Sequence, residues 1–256
     1  MGWRKPQMLW ALLLVVLVGS LGLNAALVIK FRSKLQEVAD IRSDPCGRRT
    51  FAKANQDLAR DASRTRIVFF GDSRIELWHP LPQIPDVEII NRGIGGQTTV
   101  QMVGRLQQDV LDLQPDLVVI QAGINDLKEI GLLPHYRDAI TNRCSDNLQH
   151  LHRQLREANI DVVLMTTFAN GPLTLRRRLF WSHEINQSIN KVNQQIESLE
   201  GDGTYVFDSS DVLEDESGRV QSKYALDSLH LNPLGYSALN HKLTPLISQL
   251  VTRQAN

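Results

Sequence analysis

The sequence predicts an α/β fold with a doubly wound, parallel sheet of about five strands and helices on both faces. Five short apolar runs alternate with helical patterns of roughly ten to twenty residues. These runs are apolar throughout rather than alternating with polar residues, as in strands that are buried on both faces. Parallel strands need crossover connections, and crossover helices cover both faces of a sheet. The predicted strands are 66–70, 87–90, 116–121, 160–166 and 204–208.

Composition narrows the class of protein. The chain has 256 residues, of which 42% are hydrophobic and 22% charged, so it can bury one substantial core and is not a disordered sequence. Lys plus Arg equals Asp plus Glu at 28 each, so the net charge gives no indication of a nucleic-acid partner. Neither cysteine lies in a CxxC or Cys/His pattern, so we expect no metal site and no cofactor.

Residues 1–29 are predicted to form a transmembrane anchor. Met8 to Ile29 contains no charged residue and as a helix would span roughly 33 Å, the thickness of a bilayer core. Trp3 and Trp10 lie where interfacial aromatics are expected. The alternative is a cleavable signal peptide, whose apolar core is normally shorter, and cleavage near residues 20–22 would leave a second apolar run.

The topology is predicted less directly. Basic residues flank the apolar segment almost equally on its two sides, so the positive-inside rule does not decide the orientation. An N-terminal anchor behind a short basic segment usually exports the domain attached to its C-terminal end. We therefore expect a single-pass protein of the cell (inner) membrane whose folded domain is extracytoplasmic, that is, periplasmic.

Residues 30–64 are predicted to be a juxtamembrane linker with one short helix, and residues 65–256 the folded domain. Breakers at Asp44-Pro45 and Gly47 indicate the linker. Cys46 lies within it, and a Cys46–Cys144 disulfide would tie the linker to an exported domain. The alternative is that Cys144, which lies on an apolar helical stripe, packs as a small hydrophobe.

Apolar residues three or four positions apart predict the helices between the strands. They are Val103, Leu106, Val110 and Leu113 after the second strand, Ile140, Cys144, Leu148, Leu151, Leu155 and Ala158 after the third, and Ile185, Ile189, Val192, Ile196 and Leu199 after the fourth. Asn232 as N-cap and Pro233 at the first helical position mark the last helix.

Polar residues follow four of the strands, at the same edge of the predicted sheet. Ser73 follows the first strand, Gly93 the second and Asn125 the third, and Asp227 and His230 come after the fifth. In open α/β sheets the crevice beyond the carboxyl ends of the strands is where ligands bind. The alternative for each residue alone is an ordinary turn or helix cap.

Together these residues match the requirements of a serine nucleophile. A serine hydroxyl needs a base to take its proton, and the base needs an acceptor that fixes its tautomer, roles that His230 and Asp227 would fill. Asp72 and Asp208 also end strands and are alternative partners for the histidine. The attacked carbonyl needs hydrogen-bond donors for its developing charge, and Ser73 N–H, Gly93 N–H and the Asn125 amide would form this oxyanion hole.

At these positions the chain resembles the SGNH or GDSL-type hydrolases. Four blocks occur in that family's order: Gly71-Asp72-Ser73, Gly93 within Asn91-Arg92-Gly93-Ile94-Gly95-Gly96, Gly123-Ile124-Asn125-Asp126 and Asp227-Ser228-Leu229-His230. The resemblance implies a flavodoxin-like three-layer fold, hydrolysis of esters or thioesters through an acyl-enzyme, no metal, and the same residue roles. One position departs from it, since Arg74 stands where the name motif has leucine.

The sequence therefore predicts a membrane-anchored serine esterase that cleaves carboxylic esters through an acyl-enzyme on Ser73. Its partners would be a small-molecule, lipid or acylated glycan ester and the membrane. The alternatives are an acyltransferase or O-deacetylase of an envelope glycan, or a lysophospholipase or thioesterase. An alternative of another class is an anchored binding domain that has kept the hydrolase fold without activity.

Overall fold

Residues 5–254 are described by a computed structural model, in which the chain forms two compact units, Met1–Pro45 and Cys46–Asn256. The first unit contains helix α1 (Lys5–Ser43). Within residues 5–254, α1 is the one helix long and apolar enough to cross a membrane, by length and composition. Trp10 is exposed on this helix, whereas Trp3 lies outside the described residues.

The predicted linker over residues 30–64 differs from the structure at both of its ends. Helix α1 continues to Ser43, because residues 30–43 contain neither glycine nor proline and so nothing interrupts the helix. The Asp44-Pro45 pair then ends it, since the residue before a proline avoids the helical conformation. The short helix predicted in this segment is α2 (Ala52–Gln56).

Residues 46–64 belong to the second unit and pack against it. The carbonyl of Cys46 accepts a hydrogen bond from Gln97 Nε2 at 2.8 Å. Further along, Asn55 Nδ2 donates to Asp109 Oδ1 at 2.8 Å. This segment is therefore part of the folded domain rather than a free connection.

The second unit is built on one sheet of five parallel strands, as predicted. They are β1 (Thr65–Gly71), β2 (Val87–Gly93), β3 (Leu117–Gln121), β4 (Asp161–Met165) and β5 (Thr204–Phe207), in the spatial order β2-β1-β3-β4-β5. Gly71 at the end of β1 pairs with Gly93 of β2 and with Gln121 of β3. The order of the strands reverses at β1, so the crevice that such sheets use for ligands opens at the end of this strand.

Helices cover both faces of the sheet, which confirms the predicted doubly wound architecture. They are α3 (Ser73–Glu76), α4 (Thr99–Asp109), α5 (Ile124–Leu127), α6 (Arg137–Glu157), α7 (Leu175–Arg178), α8 (His183–Glu197), α9 (Ser210–Leu213) and α10 (Pro233–Gln254). Helices α4, α6 and α8 pack on one face around Val68 and Phe70. Helices α3 and α10 pack on the other around Ile67 and Phe69.

The start of α10 lies where the sequence predicted it. Asn232 Oδ1 accepts a hydrogen bond from the N–H of Gly235 at 3.1 Å, and Pro233 is the first residue of the helix. The cap satisfies one of the N–H groups that a helix leaves unpaired at its start. It also fixes where the chain leaves the loop that carries Asp227 and His230.

The two cysteines are free thiols, so the predicted Cys46–Cys144 disulfide is not formed. Cys144 lies on the sheet-facing side of α6 in the hydrophobic core, where burial raises the pKa of its thiol. The Cys46 sulfur packs against Gly104 on α4. Each sulfur thus has its own packing site, and Cys144 behaves as the small hydrophobe of the alternative interpretation.

Candidate active site

Ser73 lies at the sharp turn between β1 and α3. Asp72 caps the short helix, its Oδ1 accepting from the N–H of Arg74 at 2.9 Å. A side chain at Gly71 would put a Cβ 2.2 Å from the carbonyl oxygen of Gln121, so only glycine allows this approach. The N–H of Ser73 has no acceptor among the described residues, which leaves it available to a substrate oxygen.

The structure brings Ser73, His230 and Asp227 into one hydrogen-bonded chain. Ser73 Oγ is 3.0 Å from His230 Nε2, and His230 Nδ1 is 2.9 Å from Asp227 Oδ2. The other oxygen of Asp227 accepts from the N–H groups of Leu229 and His230, at 2.7 and 2.9 Å. These bonds orient the carboxylate toward the imidazole.

The other two candidate partners of the histidine have different contacts. Asp72 is buried and caps α3. Asp208 Oδ1 accepts from Thr166 Oγ1 at 2.9 Å. Of the three predicted carboxylates, Asp227 is therefore the one placed against His230.

Asp227 is poised to stay ionised. Partial burial opposes its charge, but the hydrogen bonds from the His230 side chain and from two backbone N–H groups outweigh this, so the pKa of Asp227 lies below its ordinary value. The side chains of His230 and Asp227 are 24% and 53% exposed. Solvent therefore reaches this pair.

Asn125 lies at the start of α5, directly after β3. Its Nδ2 donates to the carbonyl of Gln97 at 3.0 Å, and its Oδ1 accepts from Lys128 Nζ at 2.5 Å. The amide has two N–H bonds, so one remains for a ligand. Sequence reasoning missed Lys128, which directly follows α5 in helical conformation and so lies about one turn after Asn125.

Gly93 has a different role from the one predicted. Its N–H donates to Asn91 Oδ1 at 2.8 Å and so is not available as an oxyanion donor. The unpaired donors of this turn are the N–H groups of Gly95 and Gly96, neither of which has an acceptor among the described residues. Gly96 is exposed and has φ +77°, a conformation that favours glycine.

We predict that Gly93→Ala will lower the free energy of unfolding by about 2–3 kcal/mol. A Cβ there would lie 2.1 Å from the backbone nitrogen of Glu76, so α3, which begins at Ser73, would have to move. Urea unfolding measures the change. Gly201→Ala is the matched control, because a Cβ at that position meets nothing within 4 Å. Equal stability of the two variants would contradict the prediction.

A cleft of about 410 Å³ opens beyond the ends of β4 and β5. Its lining includes Asn170, Trp181 and Asn186 but none of the predicted catalytic residues. Next to Asn170, the N–H of Gly171 donates to the carbonyl of Ser228 at 3.1 Å. One wall of the cleft is thus attached to the loop that carries Asp227 and His230.

Among the described residues no group of three or more His, Cys, Asp or Glu side chains could hold a metal ion. The groups that the site does contain are the serine hydroxyl, the imidazole, the carboxylate and the unpaired N–H donors. This combination suits nucleophilic attack on a carbonyl carbon.

The chain is similar in sequence to known proteins. A model of the GDSL-like lipase/acylhydrolase family matches residues 69–238. Platelet-activating factor acetylhydrolase IB subunit alpha1 of Bos taurus is 23% identical over 192 residues, 73% of this chain and 77% of that protein.

Two solved structures show the same fold. A GDSL-like lipase from Bacteroides thetaiotaomicron VPI-5482 is 23% identical with TM-score 0.66, over 80% of this chain and 98% of that one. An acetylxylan esterase from Geobacillus stearothermophilus, solved as a catalytic mutant, is 19% identical with TM-score 0.52, over 72% of this chain and 94% of that one.

Proposed function

The chain belongs to the GDSL-like lipase/acylhydrolase family and is an ester-hydrolysing serine hydrolase, and on that premise we propose that it acts through an acyl-enzyme on Ser73. The observation that carries the proposal is the continuous hydrogen-bonded chain from Ser73 Oγ through His230 to Asp227, with distances of 3.0 and 2.9 Å. A nucleophile, a base and a group that orients the base are the parts that covalent ester hydrolysis needs.

In the proposed mechanism Ser73 Oγ attacks the acyl carbon while His230 Nε2 accepts the hydroxyl proton. Asp227 accepts the Nδ1–H of the imidazole and stabilises the imidazolium that forms. The tetrahedral intermediate then collapses, the C–O bond to the alcohol breaks, and His230 returns the proton to the leaving oxygen. Water, activated by the same imidazole, releases the acyl group from Ser73.

The proposed oxyanion donors are the N–H of Ser73, the Asn125 amide and, in place of Gly93, the N–H of Gly96. The assignment of Ser73 and Gly96 is supported because their own backbone N–H groups have no acceptor among the described residues. Asn125 is supported by its remaining amide hydrogen and by Lys128, which donates to its oxygen. An ammonium group on that oxygen polarises the amide and makes it a better donor to an anion.

We predict that Lys128→Met will lower kcat about tenfold and change KM by less than about twofold, because polarisation of Asn125 matters most when the oxyanion forms. Initial rates on a short-chain aryl ester measure both constants. Lys191→Met is the matched control, since Lys191 Nζ also donates to an amide oxygen, that of Asn142, on the exposed surface. If the two variants had the same kcat, Lys128 would have no such role.

The acyl-enzyme is tested by labelling with a fluorophosphonate, which reacts with an activated serine. Labelling of the parent at Ser73, located by peptide mass, and its loss in Ser73→Ala support the proposal. Folded parent protein that is not labelled would instead support an anchored binding domain. Adding alcohol acceptors to the assay and analysing the products distinguishes a hydrolase from an acyltransferase.

For the substrate, a second candidate is an O-acetylated glycan. It is favoured by the cleft that Trp181, Asn170 and Asn186 line, because a cleft with an aromatic side chain and amide side chains in its lining suits a sugar. A screen of aryl esters of graded chain length beside acetylated xylo-oligosaccharides tests this candidate. If acetate were released from the oligosaccharide several orders of magnitude more slowly than from the aryl acetate, the glycan would not be the substrate.

We further propose that residues 1–29 anchor the protein in the membrane and that residues 46–256 form an extracytoplasmic catalytic domain. An apolar N-terminal helix that fits a signal anchor supports this assignment. The topology is tested with Glu216→Cys, which places a thiol at an exposed position. Cys46→Ala is made in the same chain, so that the partly buried native thiol does not react. A membrane-impermeant maleimide is expected to label the introduced thiol in intact cells, and labelling only after lysis would overturn the topology.

A further inference from the structure

Arg74, the residue directly after the predicted nucleophile, is a fully buried cation, only 1% exposed. Its guanidinium donates to three backbone carbonyls, those of Leu229 at 3.2 Å, Phe168 at 2.8 Å and Ala169 at 3.4 Å. It also stacks on the ring of Phe168, at 3.5 Å from the ring centre. The arginine therefore joins the turn after β1 to two loops that are distant in sequence.

The position is costly for a charged side chain. Burial lowers the pKa of Arg74 to about 10, which still leaves it charged at neutral pH. Among the described residues it forms no ion pair with a carboxylate, although Asp72, Glu214 and Asp227 lie near enough to favour its charge. An apolar side chain would fill the space without this desolvation cost, so filling space does not explain the arginine.

The guanidinium holds the backbone beside the predicted base. Leu229 precedes His230, and the loop of residues 222–231 has no strand that joins it to the sheet. The carbonyl of Leu229 is bound by Arg74, and the phenol of Tyr236 in α10 donates to the carbonyl of Arg74 at 3.0 Å. These bonds run directly between the segment that carries Ser73 and the segment that carries His230.

The second loop held by Arg74 supports the same segment. Phe168 and Ala169 follow β4, and the N–H of Ala169 also donates to Glu214 Oε1 at 2.6 Å. Two residues later, Gly171 donates to the carbonyl of Ser228. The loop after β4 thus lies between Arg74 and the loop of the histidine and contacts both.

We propose that Arg74 is a positioning residue that sets the distance between Ser73 Oγ and His230 Nε2 by fixing the carbonyl of Leu229. The proposal rests on the catalytic roles proposed above. The planar guanidinium offers donors in several fixed directions, so one side chain binds carbonyls of both loops. An ammonium or an apolar group cannot hold the three carbonyls in this geometry.

The test compares Arg74→Met and Arg74→Lys with the parent on a short-chain aryl ester. Misplacing a base by about 1 Å can cost roughly a hundredfold in rate, so kcat is expected to fall about 10- to 100-fold in the Met variant and less in the Lys variant. KM is expected to stay within about threefold, because Arg74 is buried and its side chain is not exposed to a bound ester. A parental kcat in folded Arg74→Met would overturn the proposal.

Arg66→Met is the matched control for losing a buried guanidinium. Arg66 is 2% exposed and donates to the carbonyls of Leu113 and Ala59, at the opposite end of β1. This variant is expected to lose stability but keep the parental kcat, and an equal loss of kcat in the Arg66 and Arg74 variants would show a general structural effect. Urea unfolding gives the folded fraction, and if Arg74→Met does not fold, a parental kcat in Arg74→Lys overturns the proposal.

Ser73→Ala in the same assay separates this proposal from the proposed function. If Ser73→Ala kept the parental rate, the acyl-enzyme mechanism itself would be wrong. If Ser73→Ala were inactive and Arg74→Met fully active, only the role of Arg74 would be wrong.

Discussion

Ser73→Ala is expected to lower kcat by roughly 10⁴- to 10⁶-fold, a larger effect than we expect of any other substitution. The variant removes the atom that bonds to the acyl carbon, and His230 is left without a proton to accept. Only the binding of the ester and its polarisation by the oxyanion donors remain. Hydrolysis of an aryl ester under single-turnover conditions measures the loss.

Stability and labelling complete this experiment. Ser73→Ala is expected to unfold at the parental urea concentration, because the hydroxyl bonds only to His230 among the described residues. Ser198→Ala is the matched control, an exposed serine that donates to the carbonyl of Gln195 on α8, and it should keep full activity. A parental rate in Ser73→Ala would refute the assigned nucleophile.

Asn125→Ala is expected to lower kcat roughly 100- to 1,000-fold with little change in KM, if its amide is an oxyanion donor. The donor gains strength only as negative charge develops on the carbonyl oxygen, so the ground-state complex loses little. Steady-state rates with the same aryl ester give both constants. Asn142→Ala is the matched control, because the amide of this exposed asparagine also accepts a hydrogen bond from a lysine, Lys191. This variant should keep the parental kcat.

A second outcome of the Asn125 experiment is also informative. If kcat were unchanged while KM rose, Asn125 would bind the ester without stabilising the transition state. If both constants kept their parental values, the oxyanion hole would consist of backbone donors alone, and the assignment of Asn125 would be wrong.

The sheet could be predicted from the sequence because its evidence is local. Apolar runs such as residues 67–70 indicate a buried strand by themselves, and parallel pairing brings the carboxyl ends of the strands to one edge. Ser73, His230 and Asp227, each of which follows the carboxyl end of a strand, lie in one hydrogen-bonded chain. The family match covers residues 69–238, the part of the chain in which the four blocks lie.

The hydrogen-bond partner of the Gly93 N–H could not be predicted from the sequence. A glycine after a strand is compatible with a free N–H, but in the structure that N–H donates to the side chain of Asn91, two residues earlier. The choice between an internal acceptor and a substrate depends on side-chain geometry, and spacing carries no information about it. The same limit applies to Lys128, whose ammonium group contacts Asn125 only once α5 has formed.

The predictions of the linker and the disulfide failed for a related reason. Polar composition and the breakers at Asp44-Pro45 and Gly47 indicated a linker, yet composition does not report the contacts of Cys46 and Asn55 with residues about 50 positions away. The chain has two cysteines, so a single disulfide between them was possible from the sequence. Their packing on different elements is a property of the folded chain.

The distance in sequence between Ser73 and His230 bears on when the enzyme becomes active. The two residues are 157 positions apart, and the histidine lies just ahead of the last helix. Contacts between such distant parts of a chain form late, after the intervening segments have folded. During synthesis the proposed nucleophile would therefore leave the ribosome long before the proposed base. With those roles, the growing chain would remain inert toward the esters of the cell that makes it until the segment with His230 docks.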